Sequence, residues 1–203
     1  VFGDVSASNQ IVFQTLDGAY AAGDVFYLTD IGFTTAGGGG AGLVVNGTFD
    51  DGFTGWETFD NGGTVTIAAT GGSDGGPAAN LNATSPANPT IKQTLIGAGV
   101  IGPNQTFSIT FDWKGTAANG GVITFQVFSE QTGGGVTKAD LVQGGDGFPA
   151  DWTTVGPLNF TSAGTAAAVG DGLTLEISAI CGGVEGCVSD LFIDNLVVEI
   201  VGN

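Results

Sequence analysis

The sequence predicts an all-β protein, an antiparallel two-sheet sandwich preceded by an N-terminal β-rich arm. Three observations carry this reading. Apolar and polar residues alternate with a period of two along most of the chain beyond residue 43. The 38 glycines among 203 residues fall between short runs rich in Val, Ile, Thr and Phe, as turns fall between strands. The stretches with any helical character, such as Thr161–Val169, are short and interrupted by glycine.

The alternation defines the strands in order. Phe107, Ile109, Phe111 and Trp113 alternate with Ser108, Thr110 and Asp112; Ile123, Phe125 and Val127 alternate with Thr124 and Gln126. Leu173, Leu175, Ile177 and Ala179 alternate with Thr174, Glu176 and Ser178. Each run has one face for a core and one for water, as antiparallel sandwich strands do. Further strands are expected at Thr64–Ala68, Ile91–Leu95, Trp152–Phe160 and Leu191–Ile200. The run of Gly37 to Gly40, Ala41 and Gly42 reads as a flexible connector. It divides an arm (1–36) and a tether (37–42) from a body (43–203). Gly37, Gly39 and Gly42 match a dinucleotide-binding glycine pattern, but no βαβ unit surrounds them.

Charge narrows the partners. Asp and Glu total 20 against three lysines, Lys92, Lys114 and Lys138, giving a net charge of −17 with no Arg and no His. Nucleic acid and anionic membrane surfaces are bound chiefly by Lys and Arg, so both are excluded as partners. The longest apolar candidate, Leu191 to Val201, is broken by Asp194, Asn195 and Glu199, so membrane insertion is not expected. Without His there is no imidazole base or ligand, and without Arg no guanidinium clamp. No acid pair lies in a recognisable hydrolase motif, so the chain is expected not to be an enzyme.

The numbering begins at Val1 and the chain has no Met, which is expected of an exported protein with its signal removed. Cys181 and Cys187 enclose a five-residue glycine-rich loop; a local disulfide is the expectation and two free thiols the alternative. Localisation is therefore expected to be secreted, extracellular or at the cell surface. Four sequons, at Asn46, Asn82, Asn104 and Asn159, fit that compartment.

The two ends of the body are more specific. Leu43-Val44-Val45-Asn46-Gly47-Thr48-Phe49-Asp50, then Gly55-Trp56, resembles the opening of carbohydrate-binding modules of the family 4/9/22 type. Leu191-Phe192-Ile193-Asp194-Asn195-Leu196-Val197-Val198 resembles their closing strand, and Phe107–Lys114 and Trp152 resemble parts of the middle. The resemblance covers residues 43–203 and none of the arm. It implies a galactose-binding-like jelly roll with a structural calcium ion held by Asp50 and Asp194. It also implies that Trp56 and Trp152 pack inside, as Trp113 does by its alternation.

The residues argue for calcium in part on their own. By parity Asp194 shares a face with Phe192, Leu196, Val198 and Ile200, and a buried carboxylate is costly unless paired or metal-bound. Asp74, in a Gly-Gly-Ser-Asp-Gly-Gly loop, is a third candidate ligand. The alternative is a bulge at Asp194-Asn195 that turns the carboxylate to solvent. For sugar, a platform on Gln126, Phe128 and Glu130 is one candidate, and Tyr20, Tyr27 and Phe148 are the aromatics left over from the core.

The arm sets the functional expectation. Ile11, Phe13 and Leu16, then Val25, Phe26, Tyr27, Leu28 and Ile31, lie in runs apolar on both faces, which must be covered on both sides. The leading expectation is a self-assembling surface filament subunit, joined head to tail to copies of itself by N-terminal strand donation and stabilised by calcium. The alternative is a carbohydrate-binding or adhesive module recognising an extracellular polysaccharide.

Overall fold

The computed structural model describes residues 42–97, 102–128, 138–144, 148–161 and 172–202. Ten strands are formed among them: β1 (Glu57–Phe59), β2 (Thr64–Ala68), β3 (Ala78–Ala83), β4 (Thr90–Ile96), β5 (Thr106–Ala118), β6 (Val122–Phe128), β7 (Lys138–Gly144), β8 (Thr153–Thr161), β9 (Leu173–Ile180) and β10 (Val188–Gly202). They build two five-stranded sheets, ordered β1-β4-β9-β6-β7 and β2-β3-β10-β5-β8, with every pairing antiparallel. The protein is thus the two-sheet jelly-roll sandwich the sequence predicts. The arm expected at residues 1–36 and the tether expected at 37–42, apart from Gly42, lie outside the described residues.

The alternating residues meet between the sheets. Ile123, Phe125, Val127, Leu175 and Ile177 of the first sheet face Phe107, Ile109, Phe111, Leu191 and Ile193 of the second, all buried. Phe111 and Phe125 stack across the gap with ring centroids 4.7 Å apart and planes 6° apart. Trp56 and Trp113 are buried here as expected, at 7% and 6% exposure.

The opening motif is structural. Asn46, buried and at φ +51°, donates from Nδ2 to the carbonyls of Gly52 (2.9 Å) and Thr54 (3.2 Å). Its Oδ1 accepts from the Asp51 N–H, and its own carbonyl accepts from Trp56 Nε1 at 3.2 Å. Phe49, fully buried, packs on Trp56 at 5.4 Å. Gln93 acts as a surrogate strand partner, accepting from the Val45 N–H and donating to the Val45 carbonyl. Gly47 runs so close to β10 that a Cβ there would collide with the Leu196 carbonyl oxygen.

Two expectations are corrected. The face of β10 is not continuous: a register shift between Asp194 and Val197, with Asn195 at φ +48°, switches the strand's parity. Leu191 and Ile193 point inward before the bulge, and Leu196 and Val198 after it. Phe192 and Asp194 are therefore on the outer face. Trp152 is the second correction: it is half-buried just ahead of β8, on the outer face with Lys114 over its ring, and absent from the core, where Phe148 packs beside Trp113 at 5.5 Å.

Cys181 and Cys187 form a disulfide, buried with Ala83 and Ala87 in a small cluster at one end of the sandwich. No helix among the described residues is long and apolar enough to cross a membrane.

Candidate functional site

Two places on the sandwich gather polar chemistry. The first is the outer face of β1-β4-β9-β6-β7. Residues that face away from the core fall into transverse rows, because antiparallel register places them opposite one another. Glu57 pairs with Lys92, Lys92 with Glu176, and Glu176 with Gln126. With strands about 4.8 Å apart, this row of acid, amine, acid and amide spans about 14 Å. Gln126 continues in register to Asp140 of β7.

A second row, Phe59, Thr90, Ser178 and Thr124, lies beside it, with the Thr90 and Ser178 hydroxyls 2.8 Å apart. Phe59 is 40% exposed at the edge. On the other side Phe128 is opposite Thr174, and Thr174 is opposite a bulge in β4 where Leu95 adopts φ +58°. Leu95 is 66% exposed there, a large apolar side chain in a conformation that costs a non-glycine residue energy. The face thus has a polar centre and apolar borders.

The second place lies on the outer face of the other sheet, under the loop 71–76. Asp112 and Asp194 are register partners, two carboxylates side by side. Asp194 is 1% exposed, so the bulge buries the carboxylate beneath the loop rather than turning it to solvent. Its Oδ2 accepts from the Ser73 N–H at 2.9 Å and its Oδ1 from the Asn195 N–H at 2.7 Å. The Ser73 hydroxyl donates to Asp112 Oδ2 at 2.7 Å and accepts from Asn195 Nδ2 at 2.8 Å. Asp112 accepts further from Thr154 Oγ1 at 2.6 Å and Asn195 Nδ2 at 3.0 Å.

The two acids titrate in opposite directions. Burial pushes the Asp194 carboxyl above its ordinary value, the two backbone N–H donors only partly offset this, and the Asp74 charge adds to the rise. Burial also pushes Asp112 upward, but hydrogen bonds from Asn195, Thr154 and Ser73 outweigh it and hold the carboxyl below its ordinary value. Asp74 and Asp50 approach the same loop: a Cβ on Gly76 would lie 2.9 Å from Asp74 Oδ1 and 3.7 Å from Asp50 Oδ1.

The structure therefore brings Asp50, Asp74 and Asp194 to one loop, with Asp112, Ser73 and Asn195 as partners that sequence reasoning missed. Asp50 and Asp74 are also engaged, by the Thr48 hydroxyl at 2.8 Å and the Gly76 N–H at 2.7 Å. Among the described residues no three acidic side chains are arranged around one point as a metal would require. Gln126 and Phe128 are together on the first face. Phe148 is not with them, since it packs against Trp113 of the second sheet. The arm positions Ile11, Phe13, Leu16, Val25, Phe26, Tyr27, Leu28 and Ile31, with Tyr20, and also Glu130, are outside the described residues.

No protein-family model matches the sequence, and no curated protein matches it. Solved structures do share its architecture. A family 61 carbohydrate-binding module, solved in complex with β-1,4-galactotriose, aligns over 80% of this chain and 100% of its own, with TM-score 0.53 and 17% identity. A family 16 carbohydrate-binding module aligns over 77% of this chain and 99% of its own, with TM-score 0.51 and 19% identity. The enzymatically active domain of a bacteriophage CBA120 tailspike protein aligns over 79% of this chain but only 21% of its own, with TM-score 0.53 and 15% identity. The chain has the jelly-roll fold of carbohydrate-binding modules.

Proposed function

We propose that this chain is a non-catalytic polysaccharide-binding or adhesive module that works outside the cell, and that the outer face of β1-β4-β9-β6-β7 is its docking surface. The observation that carries the reading is the transverse row Glu57, Lys92, Glu176 and Gln126 between the apolar borders Phe59, Leu95 and Phe128. A pyranose offers hydroxyls that donate and accept, and a C–H face that is apolar. Carboxylates accept from neighbouring hydroxyls, the amide does both, and the ammonium donates. The aromatic and leucine borders take the C–H faces. The likeness of fold to carbohydrate-binding modules, one of them solved with a galactotriose, supports the same reading.

The ligand class is uncharged. Two acids against one lysine in the row, on a chain of net charge −17, disfavour a polyanion. An extracellular setting is supported by the disulfide as well as by the fold. The division into arm, tether and module remains part of the proposal. Assembly by strand donation rests on arm residues outside the described part, and the described residues favour the module.

Calcium belongs to the proposal as a structural ion at the loop 71–76. The donors there are hard oxygens, and a cation would offset the burial, and the lesser Asp74 charge, that disfavour the ionised Asp194 carboxyl. Asp194, Asp74 and Asp50 are not preset around one point, so they would have to draw together to hold it, and its contribution would be neutralisation and loop order rather than chemistry.

Native gels cast with soluble β-1,4-galactan, xylan and mixed-linkage β-glucan test the function directly. At least one should retard the protein, Glu176→Ala should weaken the retardation without changing the melting temperature, and no reducing sugar should be released. Retardation by none of the neutral glycans, or retardation indifferent to Glu176→Ala, would overturn the assignment of this face.

A further inference from the structure

The outer face of the other sheet carries a second, differently built row. Register aligns Thr66 with Asn80, Asn80 with Phe192, and Phe192 with Lys114. Trp152, one residue ahead of β8, completes the line beyond Lys114. The Lys114 ammonium lies 4.8 Å from the centroid of the Trp152 ring and 5.2 Å from that of Phe192. Neither ring packs against the core, and both are half-buried on the surface. Asn80 is held in the row by Nδ2, which donates to Asp190 Oδ1 at 2.7 Å and to the Leu191 carbonyl at 3.1 Å.

Three features mark this row as built for a ligand. In a chain with 20 acids and three lysines, the contacts of Lys114 among the described residues are aromatic rings and not a carboxylate. The rings hold the ammonium electrostatically while leaving its N–H donors for hydroxyl groups. Two large half-buried aromatics stand on an outward face outside the core cluster, placed to offer ring faces to a ligand. Five strands about 4.8 Å apart give the row a length of about 19 Å, enough for several sugar rings in line.

We infer that Trp152, Lys114, Phe192 and Asn80 form a second saccharide-binding row, on the face opposite the first, for an uncharged polysaccharide chain. Charge argues against a polyanion, since Asp112 and Asp190 flank Lys114 in the neighbouring rows, and the rings, amide and single ammonium suit the C–H faces and hydroxyls of an uncharged chain. Sugar rings pack their C–H faces on Trp152 and Phe192, and Lys114 and Asn80 bond the hydroxyls between. With a row on each face, one molecule bridges two glycan chains, and binding to a chain network gains by avidity.

The protein supplies its own probe. Trp56 and Trp113 are buried at 7% and 6% exposure, so a quencher in solution reads Trp152 selectively. Acrylamide quenching is measured with and without β-1,4-galactan, xylan or mixed-linkage β-glucan, in wild type, Trp152→Phe, Lys114→Met and Glu176→Ala. The quenchable component should disappear in Trp152→Phe. Saturating glycan should protect it in wild type and in Glu176→Ala, and about tenfold more glycan should be needed in Lys114→Met. Calorimetry should give two sites per chain in wild type and one in Glu176→Ala. Glycan binding that depends on Glu176 but leaves Trp152 equally quenchable would overturn the second row and leave the first intact. Protection of Trp152 by a protein partner but by no glycan would also overturn it.

Discussion

Replacing Asp194 separates what its carboxylate does as an acceptor from what it does as a charge. Asp194→Ala removes the acceptor for two part-buried backbone N–H groups, those of Ser73 and Asn195. Each orphaned donor costs about 1–3 kcal/mol, so the variant should lose roughly 3 kcal/mol. At about 2–4 °C per kcal/mol for a domain of this size, the melting temperature should fall by roughly 6–12 °C in chelator. Asp194→Asn keeps one acceptor oxygen for Ser73 but turns an amide N–H₂ toward the Asn195 N–H. It also removes the buried charge that desolvation and Asp74 disfavour. Its loss in chelator should be about half that of the alanine variant or less. Calcium should then separate them from wild type. At about 100 times its dissociation constant it should add about 2.7 kcal/mol to wild type and little to either variant. Melting followed by near-ultraviolet circular dichroism, in chelator and in calcium, measures all six conditions. An alanine variant that melts with wild type in chelator would refute the role of the carboxylate in ordering the loop. A calcium response that survives in Asp194→Ala would refute the placement of the ion.

Three further outcomes follow from the packing and electrostatics. Phe125→Ala removes a 2% exposed ring stacked on Phe111 and should cost about 3–5 kcal/mol, measured by urea unfolding. Asp112 has a depressed pKa when folded, so it stabilises the fold above the ordinary carboxylate value, and that stability is lost as pH falls through the folded pKa. Melting temperature against pH should therefore fall less steeply below about pH 4 in Asp112→Asn than in wild type. Replacing both Cys181 and Cys187 by Ala opens a loop of sequence separation 6 and should cost about 2 kcal/mol on chain entropy, leaving the sandwich folded by circular dichroism.

The sandwich was legible because its core obeys a period of two. Phe107, Ile109, Phe111 and Trp113 alternate without interruption and all four are buried. The opening motif was legible because Asn46, Phe49 and Trp56 each have a fixed task in one tight loop. Parity misplaced Phe192 because a bulge is a local backbone event, and its sequence sign here is only an Asn, a residue that tolerates positive φ. β3 was missed because Ala78-Ala79-Asn80-Leu81-Asn82-Ala83 is made of small and polar residues that pack well only against β10 and β2. The rows of both outer faces were out of reach for a related reason. Glu176 and Gln126 are 50 positions apart, and only strand order and register make them neighbours. The family resemblance places Trp152 inside, whereas the structure leaves it half-buried ahead of β8 and packs Phe148 beside Trp113.

The most direct test of the module assignment is residue-resolved. Amide chemical shifts of the labelled protein are followed while the glycan that retards it most is titrated in. The account predicts that residues of β4, β9 and β6, with Lys92, Glu176 and Gln126 among them, shift progressively and saturably. No saturable shift on those strands, with the protein folded and the glycan in excess, would contradict it.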